Sequence, residues 1–425
     1  MKAALARFGY STLLRLATPL YLARLWWRGR REPLYRKFWG ERLGYTSGPV
    51  EPGRLWLHAV SLGETLAAAP LIEALRAHHP KLRLLLTHGT ATGRTAGVKL
   101  LRKGDVQVWL PYDTPGAVRR FLRAYRPVAG VLMETEVWPN LLFEAWAATV
   151  PMVLANARLS ERSRAKGERL AALMRPALGV FETVLAQSEA DAQRLRGSGA
   201  ARVIVRGNIK YDMTPRPDLV ARGRRWRTSI GRPVVLAAST REGEEQPLLQ
   251  AWRAQRGPRP LLLLVPRHPQ RFDEVGQAVA DAGLTVLRRS GWGDPPPGEA
   301  SKVDVWLGDS MGEMAMYAAM ADCALLGGSF ARLGGQNLIE LAACGCPVVM
   351  GPHTFNFAQA AELALAAGAA RRATDIADGV AQAMALACSD DRVAASHSAQ
   401  AFTAQHRGAA VRMARDIGAL LRPLR

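Results

Sequence analysis

Short apolar runs alternate along the chain with longer segments whose apolar residues recur every three or four positions. The short runs predict strands over 54–60, 82–87, 106–110, 130–133, 152–155 and 183–186. The periodic segments between them predict helices over 65–77, 91–101, 117–125, 137–147, 159–178 and 190–196. Strands separated by helices of this length imply a parallel sheet built of βαβ units. Breakers then follow at Thr214-Pro-Arg-Pro217 and Gly231-Arg-Pro233, with a basic helix between them, and the alternation restarts. Strands are expected over 234–238, 261–265, 285–287, 303–306, 323–326 and 348–350. Helices are expected over 244–253, 272–282, 311–319 and 337–344, and from there helices fill the chain to 425. The 292–298 stretch, with three consecutive prolines, reads as a surface loop.

The two halves open alike. Leu55-Trp-Leu-His-Ala-Val-Ser61-Leu-Gly-Glu64 begins the first, and Val234-Val-Leu-Ala-Ala-Ser239-Thr-Arg-Glu-Gly-Glu244 the second. Each is a strand, a serine, a Gly-Glu pair and a helix. The fold class is therefore α/β, with two Rossmann-like, doubly wound parallel-sheet domains facing across a cleft and ligands at the carboxyl ends of the strands. The expected division is a basic hydrophobic segment over 1–45, a first domain over 46–212 and a second over 213–425, with the last helices free to return to the first.

Composition narrows the class. The 425 residues are 48% hydrophobic and 22% charged, which excludes a disordered or polytopic chain. The net charge of +21 calls for a polyanionic partner: nucleic acid, anionic lipid or a phosphorylated substrate. Basic residues are not interleaved with aromatics along a groove, so nucleic acid is set aside. Four cysteines confined to the last quarter make no disulfide framework and indicate a reducing compartment. Residues 1–45 carry ten Lys/Arg against two acids, threaded with Leu5, Phe8, Leu13, Leu16, Leu20, Trp26 and Trp27. Arg7, Arg15 and Arg24 interrupt the run, so a helix lying in the membrane interface fits better than one crossing it. An amphipathic helix packed on the protein's own body is the alternative.

Candidate chemistry falls in the loops after strands. In Ser61-Leu-Gly-Glu64 the glutamate is either a helix-capping carboxylate or a general base. In Glu134-Thr-Glu136-Val-Trp-Pro-Asn140 two acids follow an apolar strand directly. Lys210, in Gly207-Asn-Ile-Lys-Tyr-Asp212, sits where the chain passes to the second half. Pro266-Arg267-His268-Pro269 offers a guanidinium fork and an imidazole. Gly308-Asp-Ser-Met311-Gly312-Glu313 and Gly327-Gly-Ser-Phe330 through Gly334-Gly-Gln-Asn337 to Glu340 are Gly-rich loops before helices, the arrangement that cradles phosphate. Cys344-Gly-Cys346 has no partners at zinc-ligand spacing, and no Asp-x-Asp pair is present to bridge a cation to a diphosphate.

Together with Asn156-Ala-Arg-Leu-Ser-Glu-Arg-Ser163, Glu41-Arg-Leu-Gly44 and Gly351-Pro-His-Thr-Phe-Asn-Phe357, these motifs resemble the 3-deoxy-D-manno-octulosonic acid (Kdo) transferases of Gram-negative bacteria. The resemblance implies the GT-B glycosyltransferase fold and transfer of Kdo, with inversion, from CMP-Kdo to lipid IVA. It places the enzyme on the cytoplasmic side of the inner membrane, on an anionic surface, with no cofactor and no metal. By the same resemblance Glu64 is the general base, and Glu134 and Lys210 stabilise the transition state. Pro266, Arg267, His268, Met311, Gly312, Glu313 and the Asn337, Leu338, Ile339, Glu340 run correspond to CMP-Kdo contacts. The chain departs from the family at Gln336, where His is usual, at Leu338, where Pro is usual, and at Arg241, where His is usual. A GT-B transferase with a UDP-sugar donor and a lipid-linked acceptor is the alternative function.

Overall fold

Strands in this chain are apolar on both faces, and such strands need helices on both sides of a sheet. The computed structural model, which describes residues 2–46, 51–257 and 259–421, has that form twice. One compact unit comprises residues 1–213 and 408–425, the other 214–407.

In the first unit seven parallel strands are β1 (Leu55–His58), β2 (Leu84–His88), β3 (Val106–Trp109), β4 (Ala129–Met133), β5 (Met152–Ala157), β6 (Thr183–Ala186) and β7 (Val203–Val205). Their order is β3-β2-β1-β4-β5-β6-β7, so the winding reverses between β1 and β4. Alternate residues feed opposite cores. Leu55, Leu57, Val131 and Met133 pack with helices Leu62–His78 and Ala409–Gly418, while Trp56, Leu132 and Leu154 pack with helices Pro115–Tyr125 and Pro139–Ala147.

The second unit repeats the plan with β8 (Val234–Thr240), β9 (Leu261–Pro266), β10 (Val286–Arg288), β11 (Val305–Leu307), β12 (Cys323–Leu326), β13 (Val348–Met350) and β14 (Ala370–Arg372). All pairings are parallel, in the order β10-β11-β9-β8-β12-β13-β14. Here the reversal lies between β8 and β12, and β11 is inserted between β9 and β10.

Several expectations need correction. Helices do not fill the chain after residue 350: β14 extends the sheet there, and its Ala-Arg-Arg sequence has no apolar run to announce it. The three-residue edge strand β7 is likewise additional. The expected helix over 159–178 is two, Glu161–Glu168 and Ala171–Leu178. Within the 292–298 loop Trp292 turns inward, meeting Trp226 at a tilt and Trp306 edge to face at centroid distances of 4.9 and 5.0 Å. Cys323, Cys344 and Cys346 are buried free thiols and Cys388 is exposed. The 422–425 tail, expected to be helical, lies outside the described residues.

The N-terminal helix Lys2–Arg28 packs by one face only. Arg7 meets Glu144 at 2.6 Å and Ser11 meets Asn140 at 3.0 Å, while Tyr10 donates to Asp113 at 2.8 Å. Opposite them Leu5, Leu16, Leu20 and Trp27 are 71, 73, 73 and 62% exposed. Following this helix, Glu41 is fixed by Arg94 at 2.5 Å and by the Trp109 amide at 2.8 Å, and the Arg42 guanidinium lies over the Trp109 ring. The Glu41–Gly44 motif is thus a clamp onto the end of β3.

Asp212 closes the first unit. Its carboxylate accepts from the Gly408 and Ala410 amides (2.6 Å for Ala410), capping the helix that brings Met413 and Ile417 into the core beside Leu71 and Leu75. Arg206 and Asp416 add a two-pronged ion pair at 2.6 and 2.9 Å. Asp212→Ala should destabilise the protein by roughly 1–2 kcal/mol through loss of this cap. Urea unfolding of the two proteins would measure it, and an unchanged midpoint would show that the cap contributes nothing.

Candidate active site

The first cluster forms where the winding of the sheet reverses, at the carboxyl ends of β1 and β4. After β1 the chain turns into helix Leu62–His78 with Ser61 as N-cap. Glu64, in the first turn, reaches back to accept from the Val60 amide at 2.8 Å and from the Ser61 hydroxyl at 3.3 Å. The loop is held from below. Gln107 donates to His88 Nε2 at 2.9 Å, so His88 Nδ1 carries the proton and donates to the Ala59 carbonyl at 2.9 Å. Burial pushes His88 down to about 4, which keeps this chain neutral at physiological pH. The capping reading of Glu64 is therefore real geometry. It coexists with an altered carboxyl: burial, and then the Glu134 charge, raise its pKa against the hydrogen bonds from Val60 and Ser61 and the charge of Lys210.

Glu134 follows β4 with φ at +57°, a left-handed turn that side chains seldom adopt. It is 5% exposed and gripped by two cations, Lys210 Nζ at 2.8 Å and Arg158 Nε at 3.1 Å. Asn156, at the end of β5 and also left-handed at +52°, accepts from the Ile209 amide at 3.1 Å and so fixes the backbone beside Lys210. Glu136 completes the group, with its carboxylate accepting from Trp138 Nε1 at 2.7 Å. Burial and then the charge of Glu64 push it up to about 7. Glu64, Glu134 and Lys210 are thus brought together as the sequence suggested. Arg158 and Glu136 belong with them, although each lay in a motif without an assigned role.

The second cluster occupies the corresponding place in the other unit, after β8, β9 and β12. Pro266 ends β9 and the Arg267 amide donates to the Thr240 carbonyl at 3.0 Å. Among the described residues Arg241 and Arg267 have no ion-pair partner. His268 is lowered by burial and then by the charges of Arg241, Arg267 and Arg271, the last of which is paired with Glu245 and Glu274. Glu340 is raised by burial and pulled back by Arg267.

The Gly-rich loop differs from expectation. The amides of its first stretch, Gly328, Phe330 and Ala331, are taken by buried Glu244. The carboxylate accepts from Gly328 N at 2.7 Å, Phe330 N at 3.2 Å, Ala331 N at 3.3 Å and Arg241 N at 3.0 Å. Gly327 is required for this packing: a Cβ there would lie 2.3 Å from the Ser239 carbonyl oxygen. Other expected contacts are also engaged. Glu313 is held at 3.0 Å by both Arg222 and Arg289 and at 2.6 Å by Ser310. Met311 is exposed beside Gly312, whose φ is +80°. Leu338 and Ile339 bury their side chains, leaving only backbone for a ligand, and the Asn337 side chain caps the Ile339 amide at 3.2 Å. Glu244 stood in the sequence only as a helix start, and nothing there showed that it closes the loop.

The family model described as 3-deoxy-D-manno-octulosonic-acid transferase (kdotransferase) matches residues 37–213. A 3-deoxy-D-manno-octulosonic acid transferase of Bordetella pertussis is 47% identical over 417 residues, covering 94% of this chain and 96% of the relative. The Haemophilus influenzae enzyme of the same name is 35% identical over 83% of each chain. Among solved structures, Anabaena HepE in complex with UDP superposes with a TM-score of 0.58 at 16% identity, over 87% of this chain and 99% of that one. A Rickettsia africae glycosyltransferase gives 0.58 at 11% identity with the same coverage. The two structures share only the fold. The two relatives share sequence along nearly all or most of the chain, motifs included, and the chain therefore belongs to the 3-deoxy-D-manno-octulosonic acid transferase family.

Proposed function

We propose that this chain is an inverting GT-B glycosyltransferase that moves Kdo from CMP-Kdo to lipid IVA in lipopolysaccharide core biosynthesis. The carrying observation is Glu64: a carboxyl at a helix start, raised above its ordinary range by burial and the Glu134 charge. A carboxylate so raised is a stronger base, and it takes the proton from the acceptor's sugar hydroxyl as that oxygen attacks the anomeric carbon of Kdo. Lys210 and Arg158 meet the negative charge of Glu134 and leave a cationic rim for the carboxylate of the sugar. In the 214–407 unit Arg241, Arg267 and His268 receive the phosphate of CMP. The Gly328, Phe330 and Ala331 amides are committed to Glu244, so these side chains act with the backbone at the Asn337 helix start.

The membrane role rests on the N-terminal helix. No helix among the described residues is long and apolar enough to cross a membrane. The outward face of Lys2–Arg28 presents Leu5, Leu13, Leu16, Leu20 and Trp27, with Arg15 and Arg24 also exposed, as in a helix lying in the interface of an anionic inner membrane.

Three outcomes follow. Glu64→Gln should keep the fold and CMP binding while kcat falls roughly 10²–10⁴-fold. The wild-type acid limb should lie above the ordinary carboxylate pKa of about 4.3, because Glu64 must ionise before it can act. Normal turnover of the Gln variant in a Kdo-transfer assay would remove Glu64 from the chemistry.

Glu136 gives a stability test. Its folded pKa, about 7, lies above its unfolded value. Relative stability is then full below the unfolded pKa and is lost as pH rises through 7. Glu136→Gln should therefore melt higher than wild type at pH 8 but not at pH 4, and the reverse pattern would contradict the buried, coupled carboxyl.

For the donor, CMP should raise the melting temperature without metal, and Arg267→Ala should cost roughly 1.5–3 kcal/mol of CMP affinity by calorimetry. Stronger protection by UDP-sugars than by CMP would favour a UDP-sugar donor.

A further inference from the structure

One cavity in the 1–213 unit is used by none of these roles. It holds about 300 Å³ and is lined by Val137, Leu154, Leu159, Met174, Leu178 and Leu195. Glu134, Thr135 and Arg158 form part of its wall, so it borders the candidate catalytic group itself. The sequence motif from Asn156 to Ser163 supplies another stretch of that wall, through Arg158, Leu159 and Ser163.

Its remaining side is unusual. Ser163, Arg164, Gly167 and Glu168 line it, all from helix Glu161–Glu168, and that helix buries no residue at all. A helix normally holds its place by an apolar stripe. This one, with the sequence Glu-Arg-Ser-Arg-Ala-Lys-Gly-Glu, has none, yet it stands over aliphatic walls. Arg162, Arg164, Lys166 and Arg169 outnumber Glu161 and Glu168 there, so the segment carries a net positive charge. Leu170, between the two helices, is 58% exposed.

We infer that this cavity binds an acyl chain of the phosphorylated lipid acceptor, with helix Glu161–Glu168 as a movable basic cover. The inference rests on the acceptor being an acylated lipid, as proposed above. An apolar cavity walled by Glu134, whose charge acts on the Glu64 base, suits an apolar tail on the molecule whose hydroxyl reaches that base. A basic cover suits a tail attached to a phosphate-bearing head. The cover is tied to the following helix by the Arg175–Glu168 pair at 3.1 Å instead of by an apolar stripe, and an entering chain takes over the covering of Leu154, Leu159 and Leu195 when it moves.

Two readouts test this on the full-length enzyme in mixed micelles. In the first, Ala171→Phe and Met174→Trp narrow the cavity, with melting curves run alongside to confirm folding. Each is assayed with lipid IVA and with its fully deacylated disaccharide bisphosphate. The KM for lipid IVA should rise relative to that for the deacylated acceptor by roughly tenfold, the equivalent of about two lost methylene contacts. An equal change with both acceptors in both variants would overturn the inference. In the second, which needs no turnover, a lipid IVA analogue with a diazirine near the chain end is irradiated with the wild-type enzyme. Cross-links should map to peptides holding Leu159, Met174 or Leu195, and cross-links mapping elsewhere would overturn it. Failure of wild type to transfer Kdo to either acceptor would count against the proposed function alone, because the cross-link still reports the cavity.

Discussion

A buried carboxylate without a cation is among the most expensive things a fold can contain, and Glu134 sits 5% exposed at the centre of the first unit. It is tolerable because Lys210 and Arg158 meet it at 2.8 and 3.1 Å. Those cations arrive from two further strand ends, so one charge fixes the relative placement of β4, β5 and the segment after β7. The left-handed turns at Glu134 and Asn156 are the conformational cost of that convergence. They aim one carboxylate at two cations and one amide oxygen at the Ile209 backbone. The raised pKa values of Glu64 and Glu136 come first from burial and then from the same placement, which sets each in the field of neighbouring carboxylates.

The second unit solves the same problem, a buried glutamate anion, with neutral donors. Where the first gathers cations around an anion, the second gathers backbone amides around Glu244. In both, a glutamate at the start of the helix that follows β1 or β8 ties down a loop at the reversal of strand order. In the second unit Arg241 and Arg267 stand beside that loop, whereas Lys210 and Arg158 of the first are taken by Glu134. The shared opening of the two halves in sequence is therefore a shared mechanical device more than a shared chemistry.

Much of this was legible along the chain. Strand runs apolar on both faces stood out, and most landed within a residue or two of their place. What was missed had no local signal. Ala370–Arg372 joins a sheet edge with two arginines in three residues, and Val203–Val205 is too short to show a period. Glu64 was readable because Ser-x-x-Glu is a local pattern. Arg158 was not, because its partner lies 24 positions away and meets it only through two unusual backbone turns. Glycines announced a loop that wraps an anion, but they do not say whose, and here the anion is Glu244 from the protein itself.

The capped helix Ala409–Gly418 has a consequence for how the chain is made. Met413, Ala414 and Ile417 complete the core that Leu71 and Leu75 begin. More than three hundred residues separate the two sides of that contact, including all of the second unit. On a ribosome the first unit must wait with that apolar surface open until helix Ala409–Gly418 emerges, while the second can close as soon as its own residues are out. The part made first is the part finished last. The N-terminal helix, with its outward leucines, emerges well before that closing segment.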